Sequence, residues 1–410
     1  MNRSVPSTPE QTVFNIKSVR APFRERLMMN WLSKLKAGRL SIEFPSGNRI
    51  ALSGKEPGPN ASIKIQNLNL TNRLMFSGDL GFGESYVEGE WDTPDLSALL
   101  MVGAINSETF SGFLGQSIWT RLLGRLRHGA HANTETGSRR NIAAHYDLGN
   151  TFYQQWLDPS MSYSSALFLD MTEPHEAAQN RKYLRLAHKL DLQPGDTVLE
   201  IGCGWGGFAE IAAREFGCKV VAITLSTEQA SYVHNRMKHA GLEEHVETRL
   251  QDYRDVTEKF DKIVSVEMFE AVGKTYWPTY MNTLKERLKA GGKAALQIIT
   301  INDDAFEAYQ RTPDFIQHYI FPGGMLPAPG LLRQEIKAAG MQITDTMFFG
   351  RSYAESLRRW DQAFQQNWSS IQGLGFDQHF YRMWRFYLCY CEVGFDFGRI
   401  DVGHFVLEHQ

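Results

Sequence analysis

Long apolar runs are missing from this sequence. No stretch approaches the roughly 20 consecutive apolar residues with which a helix crosses a bilayer. The first residues are polar and lack the apolar stretch of a secretory signal. We therefore expect a protein that works in the cytoplasm.

Cysteine is scarce. The chain has four cysteines, Cys203, Cys218, Cys389 and Cys391. They are too few and too irregularly spaced for a disulfide framework or a zinc site. This usage fits a reducing compartment, and we expect no metal.

An excess of one charge is also missing. The 43 Lys and Arg residues nearly balance the 46 Asp and Glu residues, which leaves a net charge of −3. This balance gives no reason to expect nucleic acid as a partner. With 410 residues, 42% hydrophobic, the chain is an ordinary globular protein with room for two or three domains.

The N-terminal part predicts a β-rich domain. A helix over residues 22–36 places Met28, Trp31, Leu32 and Leu35 on one face, and its other side is basic. It is either a membrane-surface helix or a domain helix with a solvated side. Short strands follow at residues 40–44, 61–65 and 74–78, with turn clusters at 45–48 and 56–60.

A polar, turn-rich stretch at residues 131–140 is the best candidate for a linker. A second basic amphipathic segment, residues 118–128, precedes it. We therefore divide the chain into an N-terminal domain (1–130), the linker (131–140) and a C-terminal domain (141–410).

The C-terminal domain alternates strands and helices. Strands are predicted at residues 197–201, 219–225, 246–251, 262–266 and 293–300, with helices between them. Such alternation predicts an α/β fold around a doubly wound, mainly parallel sheet. Ligands of these sheets bind at the carboxyl ends of the strands.

A glycine-rich turn follows the first of these strands. Glu200 precedes Gly202, Gly204, Gly206 and Gly207, and a helix begins directly after them. A dinucleotide site would need an acid at the end of the second strand, and a P-loop would need Gly-Lys-Ser/Thr; both are absent. A purely structural turn between strand and helix is the alternative to a ligand site.

The acid ahead of the glycines resembles the S-adenosylmethionine site of class I methyltransferases. Further motifs occur in one order, at residues 145–150, 161–164, 201–207, 223–226, 251–253, 268–270 and 319–324. Together they resemble the cyclopropane fatty acid synthase family, from residue 141 to the C-terminus. The N-terminal domain more loosely resembles the lipid-associated domain of its bacterial phospholipid enzymes.

The resemblance implies two sets of site residues. The cofactor set is Tyr146, Tyr163, Ser164, Glu200, Gly202, Cys203, Gly204, Thr224, Leu225, Ser226, Gln229, Asp252 and Tyr253. The catalytic set is Ser165, Glu270, Gln297, Ile299, Tyr353 and Cys391. In the family the first five catalytic positions bind bicarbonate, which takes a proton.

Two of these positions depart from the family. Ser165 stands where Cys is usual, and Gln297 stands where His is usual. A Gln side chain donates a neutral hydrogen bond and cannot become cationic, so anion binding should weaken. Cys391 matches a cysteine sometimes assigned to the active site, but the reaction has no evident need for a thiolate, and we expect it to line the pocket.

The implied reaction transfers a methyl group from S-adenosylmethionine to a cis double bond of a phospholipid acyl chain. A carbocation results, which aromatic faces can stabilise. Candidates are Phe269, Tyr319, Phe321, Trp384 and Phe386, although core packing accounts for most of them. Loss of a proton then closes a cyclopropane ring, or the cation ends as a methyl-branched or methylidene chain.

Two other classes of function stay open: a lipid-binding protein without activity, and a methyltransferase of a soluble small molecule. The glycine turn argues against the first class. The basic amphipathic segments favour a bilayer surface as partner, hence a cytoplasmic protein peripherally associated with the membrane. A homodimer is a further expectation from the family.

Overall fold

The computed structural model describes residues 21–111 and 148–410. The chain forms two compact units, Met1–Thr120 and Arg121–Gln410. The predicted linker, the second basic amphipathic segment and the first 20 residues lie outside the described residues.

The N-terminal unit combines a small sheet with helices. Its elements are α1 (Phe23–Leu32), β1 (Ala37–Glu43), β2 (Arg49–Ser53), β3 (Glu56–Ile65), α2 (Asn69–Val87), β4 (Trp91–Asp92), α3 (Leu96–Ile105) and α4 (Ser107–Ser111). The sheet order is β2-β1-β3-β4, with β1 and β3 parallel.

The predicted helix at residues 22–36 is confirmed as α1. Its apolar face is buried, with Met28 2% and Trp31 7% exposed, while Arg24, Arg26 and Lys34 are exposed. Of the two interpretations, the structure supports a domain helix with a solvated basic side. Among the described residues, no helix combines the length and apolar character needed to cross a membrane.

Two local predictions in this unit are wrong. Residues 74–78 lie inside α2, which kinks at Gly78 (φ 54°, ψ −130°), because a short apolar run fits a buried helix as well as a strand. The predicted turn at 56–60 instead begins β3. Its prolines are tolerated because this half of β3 pairs only with β1, so one edge needs no N–H donors.

The C-terminal unit alternates as predicted. Its elements are α5 (Asn150–Tyr153), α6 (His175–Leu190), β5 (Thr197–Ile201), α7 (Gly207–Phe216), β6 (Lys219–Thr224), α8 (Thr227–Ala240), β7 (Val246–Leu250), β8 (Phe260–Val266), α9 (Phe269–Val272), α10 (Trp277–Arg287), β9 (Leu288–Ile301), α11 (Asp303–Arg311), α12 (Pro329–Ala338), β10 (Met341–Phe348), α13 (Gly350–Gln366), α14 (Trp368–Gly373), α15 (Gln378–Asp396) and β11 (Ile400–His409).

These strands form one sheet in the order β10-β11-β9-β8-β5-β6-β7. Pairing is parallel from β9 to β7, and β11 is antiparallel to both of its neighbours. Alternate residues pack against opposite layers, Val198 with α6 and α7 and Leu199 with α10 and α12. The predicted α/β class is confirmed, and the carboxyl ends of β5 to β9 meet at one edge.

One buried amide closes the N-terminal unit, which gives a stability test. The Asn106 carbonyl accepts from the N–H groups of Lys36 and Ala37, and its NH₂ donates to the carbonyls of Ala37 and Val102. We expect Asn106→Ala to destabilise this unit by about 2–4 kcal/mol, because several buried backbone groups lose their partner. Hydrogen exchange of peptides from residues 37–105 measures the loss.

The matched control is Asn30→Ala, since Asn30 is exposed on α1. Exchange that is equally slow in both variants would contradict the structural role of Asn106.

Candidate functional site

The glycine turn after β5 leaves backbone open to a cavity. Gly202 (φ 77°) and Gly204 (φ 53°) adopt left-handed conformations that disfavour any side chain. A Cβ on Gly202 would lie 2.8 Å from Cγ of Met268, whereas a Cβ on Gly204 would meet nothing within 4 Å. Both glycines retain accessible surface, so a ligand can approach the turn at Gly204.

Glu200 lies behind this turn. It is 3% exposed, and one of its carboxylate oxygens has no hydrogen-bond partner. Burial raises the pKa of Glu200 to about 8, against the lowering effects of the Ala209 N–H and the charges of Arg236 and Lys182. An unpartnered buried oxygen beside an open turn fits a group that a ligand supplies.

The end of β6 carries a second part of the cofactor set. The Thr224 hydroxyl donates to the side-chain amide oxygen of Gln229 (2.7 Å). The Ser226 hydroxyl caps α8 by accepting from the backbone N–H of Gln229 (3.2 Å). Leu225, between them, is half-buried. The next strand, β7, ends before Asp252 and Tyr253. These residues meet the glycine turn because β5, β6 and β7 are adjacent and parallel.

Asp252 is already paired within the chain. Both oxygens accept from the Arg254 guanidinium (2.8 and 2.7 Å), and the side chain also caps the turn at Tyr253–Asp255. The Tyr253 ring packs edge-on to Tyr280 at 5.2 Å. The side chain of Asp252 thus shapes this wall of the site.

The segment before α6 forms another wall. The Tyr163 hydroxyl is hydrogen-bonded to that of Tyr387 (2.7 Å), and buried Lys182 donates to the Ser164 hydroxyl (2.6 Å). Burial lowers the pKa of Lys182 to about 7. Cys203 is buried and packs in the turn. Tyr146 lies outside the described residues.

An unpredicted carboxylate, Glu267, connects three members of the catalytic set. Glu267 follows β8 directly. Its Oε1 accepts from the Ser165 N–H (2.8 Å) and from the Gln297 NH₂ (2.6 Å), and its Oε2 accepts from the Tyr353 hydroxyl (2.6 Å). Sequence reasoning missed this residue. An acid placed just after a buried strand of a doubly wound sheet was the available signal.

Glu270 and Ile299 form a separate pair beside it. The Ile299 N–H donates to Oε1 of Glu270 (2.5 Å), while Oε2 of Glu270 has no hydrogen-bond partner. Burial, together with the negative charge of Glu267, raises the pKa of Glu270 to about 8. Burial also raises the pKa of Glu267, but its three donors and the charge of Lys182 oppose that rise, whereas Glu270 has only the Ile299 N–H as a partner from another residue.

A line of hydrogen bonds fixes the Gln297 amide. Arg185, paired with Asp345 (2.7 Å), donates to Nδ1 of His404 (2.9 Å). Arginine cannot accept a hydrogen bond, so Nε2 of His404 carries the proton. It donates to Oε1, the side-chain amide oxygen of Gln297 (2.8 Å). The NH₂ of Gln297 is thereby turned toward Glu267. His404 and Arg185 were also missed, since they are distant in sequence.

Comparisons with known proteins identify the family. The family model for mycolic acid cyclopropane synthetase matches residues 133–405, about two thirds of the chain. The chain belongs to this family. The family's solved mycolic acid cyclopropane synthase with SAH and CTAB is 31% identical, with a TM-score of 0.63 over 66% of this chain and 97% of that one.

Two relatives in the family extend over most of the chain. The tuberculostearic acid methyltransferase of Mycobacterium tuberculosis is 39% identical over 82% of this chain and 81% of the relative. The cyclopropane-fatty-acyl-phospholipid synthase of Escherichia coli is 34% identical over 87% of this chain and 89% of the relative. The protein is therefore an S-adenosylmethionine-dependent methyltransferase of the family, and its glycine turn fits that methyl donor.

The bicarbonate expected from the resemblance does not fit this member of the family. The Ser165 N–H, the Gln297 amide and the Tyr353 hydroxyl all donate to Glu267. A second anion among these donors would meet the Glu267 carboxylate and a neutral amide where the family has histidine.

The remaining predicted residues divide between pocket and core. Cys391 is half-buried, and burial raises the pKa of its thiol well above the ordinary range. Phe269 is core, packed on Trp277 and Tyr280. Trp384 and Phe321 contact the ring of Tyr387, whose hydroxyl is hydrogen-bonded to that of Tyr163. Phe386 and Tyr319 pack on Phe315 instead.

The raised pKa of Glu270 predicts a pH-dependent stability. Its folded-state pKa, about 8, lies above its ordinary value of 4.5, so its contribution is present below about pH 4.5 and is lost as pH rises through 8. We expect wild type to lose about 4 kcal/mol relative to Glu270→Gln between pH 5 and pH 9. Urea unfolding across this range measures the difference.

The control is Glu244→Gln, since Glu244 is exposed. It should follow wild type at every pH. A constant offset between wild type and Glu270→Gln would show that Glu270 is ionised throughout.

The buried thiol of Cys391 predicts a tolerant position. We expect Cys391→Ala to keep at least about a tenth of wild-type turnover, because a thiol with a raised pKa supplies no thiolate nucleophile. Initial rates of SAH release measure this. Complete loss of turnover in a variant that folds and binds S-adenosylmethionine would contradict the pocket-lining role.

Proposed function

We propose that this methyltransferase adds a methyl group to the cis double bond of an unsaturated acyl chain without closing a ring. The observation that carries the proposal is the Glu267 carboxylate, held among the donors of Ser165, Gln297 and Tyr353. The base that ends the reaction bears on the product, because both routes lose a proton from the new methyl group and differ in whether the cation moves before that proton is taken.

The chemistry balances without an oxidant or a reductant. The alkene π pair forms the new C–C bond, and the S–CH₃ bond breaks with its pair going to sulfur. The cation left on the neighbouring carbon moves by hydride shift to the methylated carbon. Loss of a proton from the new methyl group then gives a methylidene chain. A saturated methyl branch would need a later hydride donor.

One relative, 39% identical to this chain, is named as a tuberculostearic acid methyltransferase. Its name supports an acyl-chain substrate and a product without a ring. Two of the family positions around the base differ here, at Ser165 and Gln297. Glu267 supplies a side-chain carboxylate at the place where the family is expected to bind bicarbonate.

The acyl chain proposed is that of a membrane phospholipid. The name of the Escherichia coli relative supports a phospholipid substrate. Exposed Arg24 and Arg26 on α1, and Lys34 just after it, supply charge suited to an anionic bilayer surface. We propose peripheral association with such a surface as the way the enzyme reaches its substrate.

Cyclopropanation is the second candidate, and the family match at residues 133–405 favours it. It uses the same methyl transfer but loses a methyl proton before the cation moves, so the electron pair of that C–H bond closes the ring. The two products have the same mass.

The structure of the product tests the proposal. Wild type is expressed in cells rich in cis-monounsaturated phospholipids, and proton NMR is recorded on the extracted acyl esters. We expect olefinic exo-methylene signals. Upfield cyclopropane methylene signals as the main product would establish the second candidate instead.

Gly202→Val is the matched control, because its side chain would collide with Met268 and strain the turn. Lipids from these cells should show neither signal. Either signal at wild-type level would mean that the product comes from another enzyme.

A further inference from the structure

Glu267 has a backbone conformation that a side chain normally avoids. Its φ is 52°, and its N–H donates to the Gln297 carbonyl (2.8 Å). A residue with a Cβ in this left-handed region costs about 1 kcal/mol relative to the usual regions. The surrounding contacts hold this carboxylate in place against that cost.

Three elements converge on the carboxylate. Ser165 comes from the loop before α6, Gln297 from β9 and Tyr353 from α13. Gln297 is 1% exposed, Ser165 0% and Tyr353 7%, whereas Glu267 itself retains accessible surface. The three donors are thus more deeply buried than Glu267 itself.

Glu267 also lies next to the glycine turn of the methyl-donor site. Met268, the next residue, packs on Gly202 of the glycine turn. Tyr353 connects Glu267 to α13, and Tyr163 lies near enough to contribute to the raised pKa of the Tyr353 hydroxyl. The carboxylate therefore lies beside the place where methyl transfer occurs.

The other groups around it are less suited to accept the proton, and the Lys182 ammonium, whose pKa is lowered to about 7, donates to the Ser164 hydroxyl. Glu270 already holds one at neutral pH, and the Cys391 thiol and Tyr353 hydroxyl have pKa values raised by burial. His404 bonds Gln297 and lies behind it. Burial raises the pKa of Glu267 as well, but Glu267 is the carboxyl of the cluster whose charged form has three hydrogen-bond donors.

We propose that Glu267 is the resident base of this enzyme: its carboxylate, and no external anion, accepts the proton that leaves the methylated acyl chain. The inference rests on the proposed function for the reaction itself. The C–H electron pair forms the new double bond, or closes the ring under the second candidate, and the proton ends on a carboxylate oxygen of Glu267.

The first test removes dissolved bicarbonate from wild type. SAH release is measured with vesicles of a cis-monounsaturated phospholipid, in CO₂-free buffer and with added bicarbonate. We expect equal rates. A rate that falls several-fold without bicarbonate and recovers on its addition would overturn the proposal, whether or not any variant folds.

The second test changes the carboxylate. Glu267→Gln keeps the shape and removes the base, so we expect kcat to fall about 10²- to 10⁴-fold with S-adenosylmethionine affinity within threefold of wild type. Glu244→Gln, exposed, should match wild type. A Glu267→Gln variant with more than a third of wild-type kcat would overturn the proposal.

The third test separates a base from a structural contact. Glu267→Gly empties the position and relieves the left-handed backbone. We expect formate or bicarbonate to restore its turnover at least tenfold, with no effect on Glu267→Gln. A folded Glu267→Gly variant that binds S-adenosylmethionine but is not rescued would overturn the proposal.

The identity of the wild-type product tests the proposed function, and the rates and the rescue test the role of Glu267, so failure of one can be told from failure of the other. If wild type forms cyclopropane, the proposed function fails, while rates and rescue still decide the role of Glu267. If wild type releases no SAH with unsaturated lipid, the reaction itself is wrong, and with it the role assigned to Glu267.

Discussion

Keeping negative charge under the surface of the protein is the constraint on which this site depends. A carboxylate that leaves bulk water must recover its lost hydration from donors, or else take up a proton. Glu267 and Glu270 follow the two routes: Glu267 accepts three hydrogen bonds, and Glu270 has a pKa raised to about 8. The charge of Glu267 helps to raise the pKa of Glu270, so the two neighbouring carboxyls differ in how readily they ionise.

The same constraint explains the chain of hydrogen bonds that runs from Gln297 through His404 to Arg185. Gln297 can satisfy Glu267 only if its amide is oriented, and His404 and Arg185 set that orientation. A histidine at position 297 could carry charge itself, but here the cation is Arg185, two hydrogen-bonded groups farther away. Ser165 contributes its backbone N–H, which any residue there would offer.

The parallel sheet, its glycine turn and the residues at the ends of β5, β6 and β7 could be predicted from the sequence. Each is encoded locally, by an apolar run followed by Gly, Ser or Asp. Glu267 could not be assigned in the same way, because its donors lie 102, 30 and 86 residues away. The strand expected at 74–78 failed for a related reason: whether an apolar segment becomes helix or strand depends on what it packs against.

The pairing of β11 with β9 has a consequence for how the two parts of the site depend on the sheet. The methyl-donor residues at the ends of β5, β6 and β7 come from βαβ units that follow one another in sequence. The hydrogen bond from His404 to Gln297 spans 107 residues and exists only after β11 has paired with β9. The orientation of the Gln297 amide therefore depends on a strand pairing that the methyl-donor residues at the ends of β5, β6 and β7 do not need.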